Sequence, residues 1–117
     1  MQNIVVVSSP SFINYDKFKS DINQFITNNK ANITKYRLIT ISGTMTCSFA
    51  RQYANDYKIE ANEIYPDWRN TKNKSIKSSL LISGADWIIV FYQNDKETNK
   101  IIKSAKNAKK KLTIIEV

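Results

Sequence analysis

The fold of this chain is decided by the ten residues Arg37-Leu38-Ile39-Thr40-Ile41-Ser42-Gly43-Thr44-Met45-Thr46. Among the first five, Leu38, Ile39 and Ile41 are apolar, which is typical of a strand, and the turn that follows begins with small residues. A helix is predicted next, over about residues 46–57. A strand, a small turn and a helix N-terminus direct free N–H groups and the positive end of the helix dipole outwards, so this arrangement suits an anion. An ordinary strand-to-helix turn explains the same pattern about equally well.

The same alternation of strands and helices extends over the whole chain. Residue Asn14 is a candidate N-cap for the first helix, and Gly84 is a candidate C-cap for the third. Strands are predicted at 3–8, 37–41, 59–65, 87–92 and 112–117, and helices at about 15–28, 46–57, 75–82 and from about 97 onwards. This order predicts one α/β domain over residues 1–117, a Rossmann-like three-layer sandwich with a mainly parallel five-stranded sheet and right-handed crossovers.

Composition excludes several classes of protein and of site. The hydrophobic fraction of 42% is enough for a core, and no apolar run reaches the length of a membrane span. The chain has a single cysteine, Cys47, and no histidine. An internal disulfide, a Cys/His zinc site and a histidine base are therefore excluded. We expect a cytoplasmic protein that needs no cofactor and no metal.

The net charge of +8 raises the question of a nucleic-acid partner. Most of the net positive charge lies in residues 72–111, a segment that contains ten lysines and only three acidic residues. Only three arginines occur in the chain, although arginine supplies the bidentate geometry that phosphate and base recognition favour. Single-stranded nucleic-acid binding therefore stays an alternative hypothesis, and a solvated lysine face on the last helix is the simpler interpretation.

In a parallel sheet, ligands bind beyond the carboxyl ends of the strands, near the point where the strand order reverses. The predicted topology brings four segments to that edge: residues 8–11, 42–46, 65–68 and 92–98. The sequence therefore predicts a single crevice formed by these four connections.

With those segments placed, the chain resembles the YspA-like branch of the SLOG superfamily over nearly its whole length. The family has small residues after the first strand, a small turn before an Ala-x-x-Tyr-Ala helix, a Pro-Ala-Asp-Trp motif after the third strand and an Ala-Asp pair before the fourth. The matching segments here are Ser8-Ser9-Pro10, Ser42-Gly43-Thr44, Ala50-Arg51-Gln52-Tyr53-Ala54, Tyr65-Pro66-Asp67-Trp68, Ile76-Lys77-Ser78, Ala85-Asp86-Trp87 and Glu97-Thr98. Here the family's loop arginines are missing, and Glu97 replaces a glycine.

The resemblance implies a nucleotide-binding site at the crevice. The expected ligand-binding residues are Ser8, Ser9, Ser42, Gly43, Thr44, Met45, Thr46, Asp67, Trp68, Lys77, Tyr92, Glu97 and Thr98. In this interpretation Trp68 stacks on a base, Lys77 neutralises a phosphate and Glu97 either repels phosphate or binds a ribose hydroxyl. The alternatives are that Trp68 packs under its loop and that Lys77 is a solvated lysine.

The leading functional hypothesis is non-catalytic binding of a nucleotide or a nucleotide-derived signal, by a sensor or, in a virus, by a sponge that sequesters a defence signal. An N-glycosidic hydrolase is the enzymatic alternative, with Asp67 or Glu97 as the acid or base. The related phosphoribohydrolases carry a motif of which this chain keeps only Thr98, so we lean against catalysis.

The sequence also predicts self-association. Leu80, Leu81 and Ile82 stand in a row, which no single helix face can bury, and Trp87 lies just beyond them. A domain of this size has a limited interior. We therefore expect a homodimer or a higher oligomer, with residues 76–82 at the interface.

Overall fold

The structure is a computed structural model that describes residues 2–29, 35–64, 82 and 84–117. The described part forms one five-stranded sheet in which every pairing is parallel, in the order β3-β2-β1-β4-β5. Its elements are β1 Gln2–Ser8, α1 Tyr15–Asn28, β2 Tyr36–Ile41, α2 Met45–Tyr57, β3 Glu60–Ile64, β4 Trp87–Tyr92, α3 Lys96–Asn107 and β5 Lys111–Glu116. The predicted Rossmann-like α/β fold is confirmed.

The two faces of the sheet bury different side chains, because successive residues of a strand point in opposite directions. On one face, Ile4 and Val6 of β1 pack with the aromatic residues of α1 and α2. On the other face, Val5 and Val7 pack with Ile102 and Ala105 of α3 and with Ile82. The central strand β1 is therefore buried on both sides, which is why its apolar run is continuous.

The three described helices begin where the sequence offers a capping side chain. Asn14 accepts a hydrogen bond from the Lys17 N–H, as predicted, and Thr44 does the same for Cys47. Asp95 caps α3 by accepting from the Thr98 N–H. These caps satisfy amide groups that have no intrahelical partner and so fix the start of each helix.

Several predicted details differ from the structure. The bounds of β1, β2, β3, β5 and α2 shift by one residue at one or both ends, and β3 lies at a sheet edge. Ala108 continues the apolar spacing of Ile101 and Ala105 but is exposed, because α3 ends there and Lys109 turns to a positive φ of 56°. Gly84 does not have the positive φ of a left-handed C-cap, and the helix predicted at 75–82 lies, except for Ile82, outside the described residues.

The described residues give the dimer prediction no direct support. Ile82 is buried against its own sheet, and residues 88–91 of β4 are fully buried in the same chain. Trp87 packs edge-on against Phe25, with a ring-centroid distance of 5.1 Å. The rest of the expected interface, residues 76–81, lies outside the described part of the chain.

Candidate functional site

The strand order reverses beside β1, which pairs with β2 on one side and β4 on the other. Helices α1 and α2 cover one face of the sheet, whereas α3 covers the other. The connections that follow β1, β2 and β4 therefore meet at the carboxyl edge of the sheet. This is the position at which open α/β sheets bind ligands.

The β2–α2 connection is a tight turn that depends on Gly43. The Thr44 amide N–H donates to the Ile41 carbonyl at 3.4 Å, and Gly43 has a φ of +84°, as the third residue of a type II turn requires. The Thr44 hydroxyl donates to the same carbonyl at 2.7 Å and accepts from the Cys47 N–H at 3.2 Å. The amides of Met45 and Thr46 then belong to a first helical turn that provides no intrahelical acceptor.

No acidic residue lies in the first turn of α2. A β-carbon on Gly43 would meet nothing within 4 Å, so the space above the turn is open in the described structure. The α2 N-terminus therefore keeps its positive dipole end accessible to an anionic group.

The α3 N-terminus is different because it carries its own negative charge. The Asp95 carboxylate accepts hydrogen bonds from the Ser9 hydroxyl, the Thr98 hydroxyl and, at 3.1 Å, the Thr98 N–H. Ser9 is only 1% exposed, and its hydroxyl also accepts from the Gln93 N–H at 2.8 Å. Asp95 thus occupies the place that a bound anion would take at this helix, and it ties α3 to the end of β1.

The pKa of Asp95 reflects the balance of these contacts. Burial raises the pKa of the carboxyl group, and the hydrogen bonds from Ser9 and from the Thr98 side chain and amide lower it. The net result is a pKa below the ordinary value for aspartic acid. Asp95 is therefore ionised at neutral pH and holds a fixed negative charge beside the crevice.

A small pocket of about 60 Å³ opens between these helix ends. Its polar wall comes from the end of β1 and the N-terminal ends of α2 and α3, and its apolar wall comes from β1, β2 and α3. The lining residues are Ser8, Thr44, Thr46, Glu97 and Thr98 on the polar side and Val6, Val7, Ile41 and Ile101 on the apolar side. Five of the thirteen site residues predicted from the sequence are thus brought together in one pocket.

Each hydroxyl group that lines the pocket makes a hydrogen bond to a neighbouring group. Ser8 and Thr46 share a hydrogen bond across the end of β1 and the first turn of α2. Thr98 is held by Asp95, whereas Glu97 is exposed at the pocket wall. Glu97 and Asp95 therefore place two carboxylates at this end of α3, although the chain as a whole is strongly basic.

The other predicted site residues lie outside the pocket lining. The Ser9 hydroxyl is engaged by Asp95, and the Ser42 N–H donates to the Ile64 carbonyl at 2.9 Å. Met45 is 46% exposed at the start of α2. The Tyr92 hydroxyl lies 2.7 Å from Asn94 Oδ1 and 2.8 Å from Asn99 Oδ1. Gly43 shapes the turn, and Asp67, Trp68 and Lys77 lie outside the described residues.

Cys47 lies close to this site in sequence but is not accessible to it. Its side chain is 4% exposed, and burial is the largest of the effects that raise the pKa of the thiol. A buried thiol with a raised pKa is a weak nucleophile. The structure therefore supports a packing role for this cysteine.

The sequence interpretation does not identify Asp95, because it treats residues 93–96 only as a loop. An aspartate three residues before a threonine, at the start of an amphipathic helix, is an N-cap signal that would have identified it. Its bond with Ser9 is a tertiary contact between residues 86 positions apart, for which the sequence carries no local signal.

No helix in the described part of the chain is long and apolar enough to span a membrane. The described residues also contain no cluster of three or more acidic, cysteine or histidine side chains that could hold a metal ion. No model of a known protein family matches the chain, and no curated protein matches it either. The resemblance to the YspA-like SLOG domains therefore stays a prediction.

Proposed function

We propose that this chain is a non-catalytic binding protein for a nucleotide or a nucleotide-derived signalling molecule. The observation that carries the proposal is the convergence of Ser8, Thr44, Thr46, Glu97 and Thr98 in one pocket at the carboxyl edge of the sheet. Hydroxyls, free helix amides and a carboxylate are the groups that bind phosphates and sugar hydroxyls.

The two helix ends assign different parts of the ligand to different sides of the crevice. An anionic group fits the α2 N-terminus, which has no acidic residue in its first turn. The α3 end carries Asp95 and Glu97 and repels an anion, whereas the exposed Glu97 carboxylate accepts hydrogen bonds from hydroxyl groups. A ligand with one phosphate and a vicinal pair of hydroxyls, such as a nucleoside monophosphate, satisfies both requirements.

The size of the pocket sets how such a ligand would sit. A volume of about 60 Å³ holds one small chemical group rather than a whole nucleotide, since drug-sized ligands occupy roughly 300–1,000 Å³. We infer that the pocket anchors the sugar or phosphate, and that the base lies along the open edge of the sheet. In this proposal Trp68 stacks on the base and Lys77 neutralises the phosphate.

This binding activity suits a cytoplasmic sensor or, in a virus, a sponge that sequesters a defence signal. Both roles need a fold that binds a nucleotide without consuming it. The homodimer expected from residues 76–82 belongs to the same proposal. Lys77 is part of both the expected interface and the expected ligand site, so a second subunit would lie close to the crevice. Light scattering at micromolar protein concentration tests it, and a monomer would contradict this part alone.

A thermal-shift screen tests the proposal, with mononucleotides, cyclic nucleotides and ADP-ribose derivatives as probes. A ligand at 100 times its Kd stabilises the folded state by about 2.7 kcal/mol, which raises Tm measurably. We expect the Glu97→Gln variant to lose most of this shift and the matched Glu116→Gln variant, altered at an exposed carboxylate on β5, to keep it. No shift with any probe at saturating concentration contradicts the proposal.

The same samples also test the enzymatic alternative. The two candidates for the acid or base of an N-glycosidic hydrolase are Asp67 and Glu97. Glu97 lines the pocket, and Asp67 lies outside the described residues. We expect chromatography of the incubated nucleotides to show no release of free base. Base release that the Glu97→Gln variant abolishes would replace the binding proposal with hydrolysis.

A further inference from the structure

A row of lysines lies on the side of α3 that faces away from the sheet. The helix buries Thr98, Ile102 and Ala105 against the sheet, whereas Lys96, Lys100 and Lys103 are exposed. The spacing of these lysines is i, i+4 and i+7, which places them on one helix face. We call the surface formed by these three residues the α3 lysine row.

Further lysines continue the charge beyond this row. Lys106 is exposed in the last turn of α3, and Lys109, Lys110 and Lys111 follow directly. Glu97 is the only acidic residue in the sequence from 96 to 111. At a rise of about 1.5 Å per residue, α3 presents this charge along roughly 18 Å.

The row is a local concentration of charge that the described ion pairs do not neutralise. The ion pairs of the described residues join Lys17 to Asp21, Arg37 to Glu60 and Arg51 to Glu63, and none reaches the α3 lysine row. Like charges at helical i and i+4 positions destabilise a helix rather than stabilise it. A polyanion bound along this face would remove that repulsion.

The chemistry of the row identifies the class of polyanion. Lysines act as point charges for phosphates, and the row contains no arginine that could read a base edge. Among the described residues, the exposed large apolar side chains are Ile13, Met45, Tyr57 and Ile114, all outside α3. Helix α3 therefore has no large exposed apolar side chain to insert into a lipid bilayer.

We propose that the α3 lysine row binds the phosphate backbone of nucleic acid without sequence specificity. The surface is separate from the crevice, because the lysines point away from the sheet while Thr98 and Ile101 of the same helix line the pocket. The chain would thus carry two anion-binding surfaces: the α2 N-terminus for a small ligand and the outer face of α3 for a polymer. The proposal for the second surface does not depend on whether the first surface binds a nucleotide.

Fluorescence anisotropy with labelled single-stranded and duplex DNA of mixed sequence tests this proposal. The test variant is Lys96→Gln/Lys100→Gln/Lys103→Gln. The matched control is Lys19→Gln/Lys35→Gln/Lys58→Gln, which removes the same charge from positions outside α3. Circular dichroism and Tm measurements confirm that both variants are folded before binding is compared.

We expect the wild-type protein to bind at low salt, with an affinity that falls steeply as salt rises. Each phosphate contact contributes about −0.9 to the slope of log K against log salt on duplex DNA and about −0.7 on a single strand. In the test variant, the slope of log K against log salt should decrease in magnitude by the contribution of two to three phosphate contacts, and the affinity should fall at least about tenfold. The affinity of the control should fall less than about threefold.

Four outcomes decide the proposal. The proposal is supported if the test variant loses binding to single-stranded or duplex DNA and the control keeps it. The form of DNA that binds more tightly then shows whether the row prefers a single strand or a duplex. Equal losses in the two variants would show that net charge alone is responsible and would overturn it. The absence of binding at low salt would also overturn it. Binding to anionic lipid vesicles without binding to DNA would assign the row to a membrane surface instead.

Discussion

The hydroxyl of Ser9, at the end of the central strand, donates a hydrogen bond to the carboxylate of Asp95, which caps α3. The two residues are 86 positions apart, and their contact joins β1 to the helix that covers one face of the sheet. It also fixes a negative charge at a helix end where related architectures accept an anion. The first predictions concern this pair.

Removal of either partner should destabilise the fold through the same interaction. Hydrogen bonds to a charged group contribute about 1.5–3 kcal/mol, so the Ser9→Ala and Asp95→Ala variants, each of which removes one partner of the bond, should show a coupling free energy in that range. Urea unfolding of the two single variants and the double variant measures it. Ser11→Ala, which removes an exposed hydroxyl that bonds to Gln93, should change stability by less than about 0.5 kcal/mol. Additive effects of Ser9→Ala and Asp95→Ala would contradict the pairing.

The stabilisation by Asp95 should depend on pH. Because the folded-state pKa of Asp95 is lowered, its contribution is fully present above the unfolded pKa of about 3.9 and is lost as pH falls through the folded value. The free energy of unfolding should therefore differ between the wild type and Asp95→Asn at pH 7, and the difference should shrink below about pH 4. Denaturation curves at a series of pH values measure this. A difference that stays constant down to pH 2 would show that the carboxylate charge is not involved.

Gly43 should tolerate asparagine better than alanine. Its φ of +84° is accessible to glycine and, among residues with a side chain, most readily to asparagine and aspartate. Since a β-carbon there meets no atom within 4 Å, backbone strain rather than a clash sets the cost, at about 1 kcal/mol or more for Gly43→Ala. Thermal unfolding of both variants measures it. Equal stability of the alanine variant and the wild type would contradict the turn geometry.

Cys47 should react slowly with thiol reagents in the folded protein. The side chain is 4% exposed, and its raised pKa leaves less thiolate at neutral pH than an ordinary cysteine has. We expect the rate of labelling by a chromogenic disulfide to rise steeply in urea, in parallel with unfolding. Rapid labelling under native conditions would show that the first turn of α2 opens or that the thiol faces the crevice.

Much of the fold could be predicted because its signals are local. The apolar run from Ile4 to Val7 predicts a strand that is buried on both faces, and Asn14 predicts the start of α1. Errors occurred where local periodicity continued beyond the element. Ala108 fits the apolar face of α3, but the left-handed conformation of Lys109 ends the helix there. Lys111 belongs to β5 because it pairs with Trp87, with its ammonium group 4.7 Å from the indole ring.

The candidate site could be predicted only in part. The topology rule placed Ser8, Thr44 and Thr46 at the same edge as Glu97 and Thr98, and the pocket contains all five. It could not distinguish residues that face the pocket from those that support it. Ser9 directly follows β1 and Tyr92 ends the neighbouring β4. The Ser9 hydroxyl is engaged by Asp95, and the Tyr92 hydroxyl by Asn94 and Asn99. Such tertiary partners depend on side-chain geometry rather than on sequence spacing.

The central claim is that the crevice binds a nucleotide between the N-termini of α2 and α3. Amide chemical-shift mapping of the ¹⁵N-labelled protein, titrated with nucleoside monophosphates, tests it most directly. We predict saturable shifts concentrated at Ser8, at residues 43–46 and at residues 97–98, with little change at Lys100 and Lys103 on the outer face of α3. Shifts confined to the α3 lysine row, or the absence of any shift at millimolar nucleotide, would contradict the claim.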